Sequence, residues 1–309
     1  MLTTRTFIQT ADALIANVSG AVVAPAEVIQ LSVVSLLSGG HLLLNDLPGM
    51  GKTLLARSLA YSIEGSFKRI QFTPDLLPTD ITGSSIYNQG ASQFDFIPGP
   101  VFANVVLADE INRASTRTQS ALLEAMAESQ VTVDGHSYPL PDPFWVVATQ
   151  NEVDGYGTFP LPQAQLDRFI ISLTIGYPDP AEQVTILERN RMGDPVVEPV
   201  LTISHIRDMQ AQVREIEVAR PVREYLSSIL AATRSHPQIE LGASPRSGVQ
   251  LQIAAQALAA LRGDSFVTPE HIKAVALPVL RHRIIPAPSA TLSVEDAISE
   301  TIQSIPVPF

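Results

Sequence analysis

Cysteine is absent from the chain, which excludes disulfide bridges and thiolate chemistry. Lysine is nearly absent: Lys52, Lys68 and Lys273 are the only three, and the net charge is −11. An acidic chain without a basic block is poorly suited to hold nucleic-acid phosphates, so no nucleic-acid partner is expected unless an oligomer assembles a basic groove. No apolar run approaches the length of a bilayer span, and none is expected to cross a membrane. Residues 1–10 lack a basic region followed by an apolar core, so no signal peptide is expected and a cytoplasmic location is. His41, His136, His205, His236, His271 and His282 have no metal-ligand spacing and read as surface or capping residues. No Gly-x-Ser-x-Gly motif supports a hydrolase triad.

What is present is a core-forming chain of 309 residues, 45% of them hydrophobic, long enough for one large or two smaller domains. Its organising stretch is His41 to Thr53. The apolar run Leu42, Leu43, Leu44 reads as a buried strand, a Pro48-Gly49 turn follows, and Gly51-Lys52-Thr53 leads into a helix expected from Leu54 to Ile63. Strand, glycine-rich turn and helix in this order form a phosphate-binding loop. Glycines let backbone N–H groups point inward at phosphate oxygens, and the new helix adds its positive dipole end. Lys52 would reach the β- and γ-phosphates and the Thr53 hydroxyl would hold Mg²⁺. The strict motif has glycine where this chain has Asp46, and the triplet alone also fits a turn with an exposed lysine.

Further apolar runs at residues 68–72, 104–109, 144–149 and 170–175 read as buried strands separated by helices or insertions, which indicates a parallel sheet covered on both faces. Residues 3–17, 25–38 and 116–129 carry helical patterns, and Trp145 reads as core packing. Residues 84–96 and 131–138 read as hairpins, the second with a strong Asp134-Gly135 turn signal. The prolines of residues 74–78 mark a loop. Beyond Gly176-Tyr177-Pro178 no strand is expected, and helices are expected at 179–191, 204–216, 221–235, 245–262, 269–282 and 294–304.

Several side chains carry candidate chemistry. Asp109 ends an apolar strand, where it could support Mg²⁺, and Glu110 is placed to polarise an attacking water; a solvated turn would show the same pair of acids. Asn151 at another strand end could orient that water or touch the γ-phosphate, or stabilise its own turn. Arg246, in the first turn of a helix, opposes the helix dipole, a conflict that bound phosphate would remove. Arg168 could be a surface ion pair or an arginine finger for a neighbouring subunit.

Taken together, these segments resemble a MoxR-family AAA+ ATPase. The resemblance runs through residues 40–53, 71–83, 99–102, 108–114, 119–126, 148–151, 161–169 and 242–246, and so spans nearly the whole chain. It implies an α/β P-loop (AAA+) parallel-sheet core at residues 1–176 and an all-helical lid at 177–309. It further implies ATP and Mg²⁺ as cofactors and a homo-oligomeric ring, usually hexameric. Pro48, Gly49, Met50, Gly51, Lys52, Thr53 and Leu54 would then hold nucleotide with Asp109, and Thr53 and Asp109 the metal. Glu110, Asn151, Arg168 and Arg246 would be the catalytic set, with Arg246 converging on the same phosphates as Asp109, Glu110 and Asn151, and Arg168 arriving from the next subunit. In related rings the two hairpins face the pore or substrate. The family is associated with chaperone-like maturation of partner complexes, often with von Willebrand factor A domain proteins or metal-cofactor enzymes. Glu152 departs from the usual proline after the sensor asparagine, which could lower turnover. A nucleotide-dependent binding module with incidental turnover is the alternative, and a DNA-acting motor fits the acidic charge least.

Overall fold

The computed structural model describes residues 4–151, 157–190 and 196–308, and Glu152 lies outside them. Two helices open the chain, α1 (Thr4–Ala21) and α2 (Ala26–Leu37). Phe7, Ala11, Leu14 and Val18 recur at three- and four-residue spacing and are buried, which gives α1 one apolar face. Gly39, at φ +68°, turns the chain out of α2 into β1 (His41–Asp46). After the loop come α3 (Lys52–Tyr61), β2 (Ile63–Glu64) and β3 (Phe67–Gln71). The helix begins at Lys52, two residues before its expected start, because Gly51 takes the left-handed turn at φ +81° and the helical backbone follows directly.

Residues 74–77 form the expected loop, and one helical turn, α4 (Pro78–Thr82), follows; Pro78 sits at the first helical position, where its missing N–H is no loss. The hairpin β4 (Gly83–Asn88) and β5 (Gln93–Pro98) follows. Then come β6 (Val105–Asp109), a 3-10 turn at Ile111–Arg113, and α5 (Thr116–Glu128), capped by Ser115. A second hairpin, β7 (Gln130–Val133) and β8 (His136–Pro139), turns at Asp134 and Gly135, both with positive φ as a tight two-residue turn requires. The core closes with β9 (Trp145–Asn151), α6 (Gln163–Leu166) and β10 (Phe169–Leu173).

Five strands form one parallel sheet in the order β10-β1-β9-β6-β3. Alternate residues enter opposite cores. Leu42, Leu44, Val105, Leu107, Trp145 and Val147 face a cluster shared with α1, α2 and α3. Leu43, Val106, Ala108, Val146 and Ala148 face a second cluster with α5. Two buried faces explain why β1, β6, β9 and β10 are largely apolar, whereas β3, at the sheet edge, exposes Lys68, Arg69 and Gln71.

The remaining elements are α7 (Pro180–Asn190), β11 (Leu201–Thr202), α8 (Ile203–Glu215), α9 (Arg220–Ser235), β12 (Ile239–Leu241), α10 (Pro245–Arg262), α11 (Pro269–Leu280), β13 (Ile285–Pro286) and α12 (Val294–Ser304). Three short strands therefore appear where none was expected: β11 pairs with β2, and β12 with β13. Runs of two or three residues are too short to show a period in sequence. The apolar cluster that contains α1 and α2 continues into α8 to α12.

No helix among the described residues is long and apolar enough to cross a membrane. His41 and His282 depart from the surface reading. His41 is buried at the amino end of β1, where its Nδ1 accepts from Val146 N–H at 3.1 Å and its Nε2 donates to Met126 O at 3.3 Å. Burial lowers its pKa to about 4, against a smaller opposing effect of the Met126 bond.

Candidate active site at the carboxyl ends of the sheet

Parallel strands present their carboxyl ends together, and β1, β9 and β6 are neighbours in the sheet. Asp46, which ends β1, is in register with Asn151, which ends β9, and β6 ends beside them at Asp109. A cavity of about 420 Å³ opens there, lined by residues 48–54, Arg57, Asp109, Glu110, Thr149 and Asn151. Every residue expected to bind nucleotide lines it, as do Glu110 and Asn151.

The loop over this cavity is shaped by two glycines, Gly49 (φ +83°) and Gly51 (φ +81°). A Cβ at either would meet nothing within 4 Å, so backbone conformation rather than space demands glycine. Lys52 is buried, and its ammonium donates to the carbonyls of Asp46 and Leu47 (2.8 Å to Leu47) and to Asn151 Oδ1 at 2.7 Å. Asp46 is no stand-in for the missing motif glycine. Its Oδ1 accepts from Leu47 N–H at 2.8 Å, and its Oδ2 accepts from Ile175 and Gly176 N–H at 2.7 and 2.8 Å. A glycine would leave those donors unmet.

Asp109 is buried and well supported. Its Oδ1 accepts from Thr149 Oγ1 at 2.6 Å and from Thr53 Oγ1 at 3.2 Å. Its Oδ2 accepts the Arg69 guanidinium at 2.6 Å. Glu110 sits in the left-handed region at φ +57°, a conformation costing a non-glycine residue about 1 kcal/mol and concentrated at functional sites. Its N–H donates to Thr149 Oγ1 at 2.8 Å. Its carboxylate accepts from Asn151 Nδ2 (3.0 Å), Gln71 Nε2 (3.0 Å) and Arg113 Nη1 (2.9 Å). The carboxylate is thus aimed by three donors from three elements.

These groups fit a magnesium-bound triphosphate. Thr53 Oγ1 and the Asp109 carboxylate are hard oxygen donors at one wall of the cavity, the kind of partial set that Mg²⁺ completes with phosphate oxygens and water. Among the described residues there is no cluster of three His, Cys, Asp or Glu side chains that could hold an ion without such a ligand.

The structure does not bring Arg168 or Arg246 to this cavity. Arg168 precedes β10, whose first residue Phe169 pairs with His41 at the start of β1. The sheet therefore separates it from the phosphate loop by roughly 15–20 Å, the rise of five or six strand residues. Arg246 was expected to converge with Asp109 and Asn151; instead its Nε lies 3.5 Å from Asp167 Oδ2, next to Arg168. The first turn of α10 lies beside the amino end of β10, and the Asp167 carboxylate answers the local conflict between Arg246 and its helix dipole. Asp167 also receives Arg283 Nε at 2.8 Å. Arg283 is buried, and desolvation lowers its pKa to about 10 even with Asp167 opposing the shift, so it stays charged at neutral pH.

Thr149, Gln71, Arg69, Arg113 and Arg283 were not singled out from the sequence. Thr149 lies two residues before Asn151 on β9, a spacing that puts both on one side of a strand. Arg69 and Gln71 became relevant only through the pairing of β3 with β6.

Comparison with known proteins gives the chain's family. Residues 41–171 match the family model described as ATPase family associated with various cellular activities (AAA), and residues 231–302 match that of the AAA lid domain. The chain is 45% identical to the uncharacterized protein YeaC of Bacillus subtilis, over 94% of this chain and 93% of that one. It is 39% identical to the chaperone MoxR1 of Mycobacterium tuberculosis, over 97% of this chain and 83% of that one. The crystal structure of a candidate ATPase from Cytophaga hutchinsonii superposes with a TM-score of 0.90 at 35% identity, covering 99% of this chain and 97% of that one. With the α/β P-loop core, the C-terminal helical lid and the phosphate-loop cavity in place, the chain belongs to the MoxR family of AAA+ ATPases.

Proposed function

We propose that this protein hydrolyses ATP in a homo-oligomeric ring and uses the cycle to remodel a partner protein. The observation that carries the reading is the aim of Glu110: a carboxylate held by Asn151, Gln71 and Arg113 at the mouth of the phosphate-loop cavity, one residue beyond Asp109. Glu110 would accept a proton from the attacking water as it adds to the γ-phosphorus. Lys52 would exchange its carbonyl partners for β- and γ-phosphate oxygens, and Asn151, which touches both Lys52 and Glu110, would report that exchange to the base. Mg²⁺, held by Thr53 and Asp109, would neutralise charge on the phosphates.

Arg168 and Arg246 would serve the neighbouring subunit's nucleotide, a reading supported by their common place at the amino end of β10. Residues 1–176 would act as the core and 177–309 as the lid. A hexamer is the proposed ring. The relative named chaperone MoxR1 supports a protein client. A von Willebrand factor A domain protein is the proposed client class, from the family's associations. Ile86, Tyr87 and Phe94, all exposed on the β4–β5 hairpin, supply an apolar surface for it.

The test is Glu110→Gln. ATP affinity is expected to persist while hydrolysis nearly vanishes, and the trapped ATP state should retain the client in a pull-down. Unchanged turnover would remove Glu110 from the mechanism.

A further inference from the structure

Arg168 has no hydrogen bond or ion pair of its guanidinium with the described residues, although it is partly buried. Its direction therefore depends on the backbone that carries it. That backbone, from Gln163 to Thr174, is gripped by three consecutive residues that follow α11: Arg281, His282 and Arg283. Arg281 Nη1 donates to Thr174 Oγ1 at 2.9 Å. His282 Nε2 donates to Phe169 O at 2.9 Å, and His282 O accepts from Gln163 Nε2 at 2.7 Å.

Arg283 makes the densest contacts. Its Nε donates to Asp167 Oδ1, its Nη1 to the carbonyls of Ile170 and Val279, and its Nη2 to the Phe169 carbonyl and Gln250 Oε1. A guanidinium has five N–H donors, and every one is used. Three of the five acceptors belong to residues 167–170, on both sides of Arg168. Gln250 in α10 closes the ring of contacts by donating to Asp167 O at 3.3 Å.

We infer that Arg283 is a positioning residue for Arg168: the end of a lid helix sets the angle at which the finger leaves its own subunit. This rests on the proposal that Arg168 acts on the neighbour's nucleotide. The physical requirement is strict, because a misplacement of about 1 Å at a reacting centre can cost about a hundredfold in rate. A flexible side chain on an unsupported backbone would not meet it. The same contacts tie the finger's aim to the lid, since residues 281–283 directly follow α11. A purely structural role for Arg283 would be to tie the lid to the core without consequence for the neighbouring site.

Subunit mixing separates the two. Arg283→Gln rings are expected to bind a fluorescent ATP analogue like wild type while turnover falls about 10–100-fold. Mixing these subunits with Lys52→Ala subunits, whose own pockets are dead but whose fingers are intact, should restore turnover. Mixing them with Arg168→Ala subunits should not, because both lack a working finger. Removing one partner of a buried ion pair can unfold a protein, so Arg283→Lys, which keeps the charge but not the fork, is made in parallel; it should show the same pattern with a smaller loss. The inference is overturned if a folded Arg283 variant turns over normally, or if Lys52→Ala rescues Arg168→Ala but not the Arg283 variants. If Lys52→Ala fails to rescue Arg168→Ala itself, the shared-site reading has failed and the inference falls with it.

Discussion

Asn151 donates its amide nitrogen to Glu110 Oε1 at 3.0 Å while its amide oxygen accepts from Lys52 at 2.7 Å. One side chain thus spans the group proposed to meet the phosphates and the group proposed to activate water. Its backbone carbonyl is held in turn by Asn112 Nδ2 at 3.0 Å. Replacing Asn151 by Ala removes both side-chain links and leaves the loop glycines untouched. Turnover is expected to fall about 10–100-fold, with a much smaller change in ATP affinity. Steady-state kinetics beside a nucleotide-binding titration would show the split; equal losses in both would mean that Asn151 mainly shapes the pocket.

Asp46→Gly would restore the glycine of the strict phosphate-loop motif, yet it should weaken the protein. The carboxylate accepts from Leu47, Ile175 and Gly176 N–H, and buried donors left without acceptors cost about 1–3 kcal/mol each. A fall in the thermal midpoint is expected; an equal or higher midpoint would show that the bracket does not stabilise the fold.

Arg69 occupies one oxygen of Asp109, the acid proposed to support Mg²⁺. About half of the Arg69 side chain is exposed, so its hold is weak, on the order of 1 kcal/mol. Arg69→Met should therefore lower the Mg²⁺ concentration needed for half-maximal nucleotide binding by about two- to fivefold. A higher Mg²⁺ requirement would instead assign Arg69 to orienting Asp109.

Acid should destabilise the protein through His41. Its pKa is about 4 in the folded chain against an ordinary 6.5, so below pH 6.5 the unfolded chain takes up a proton that the folded one refuses. Stability is thus unaffected by this group above about pH 7 and falls as pH drops from 6.5 towards 4, by about 3 kcal/mol in all. His282 and His271, both lowered chiefly by burial, act in the same direction. In His41→Gln the midpoint should be lower at neutral pH, but its decline between pH 6.5 and 4.5 should be shallower. An unchanged slope would assign the acid sensitivity elsewhere.

Much of the nucleotide-facing half of the site was legible because it is local. Residues 48–54 carry their own geometry: positive φ requires glycine, and the helix that follows supplies the dipole. The strand ends at Asp109 and Asn151 were legible because each closes an apolar run. The donors that aim Glu110 were not, since Gln71 reaches it from a strand paired beside β6, and strand order leaves no mark in local periodicity. His41 was misread for a related reason: a polar residue at the start of a strand resembles a surface residue until Val146 and Met126 close over it.

The sequence by itself determined the family, the sheet's apolar strands and the phosphate loop, because these depend on residue type and short spacing. Only the tertiary structure decided where each arginine lies. Arg246 was expected among the phosphates of its own pocket; the parallel register of β1 with β10 sets Arg168 at the far end of the sheet, and the contact of α10 with Asp167 sets Arg246 beside it. Asp46 likewise changed from a flawed motif position into the bracket that joins the loop to Ile175 and Gly176. Arg283, which no motif marks, became the centre of the contacts around residues 167–170, because its five donors find their partners only once α11 has packed against β10.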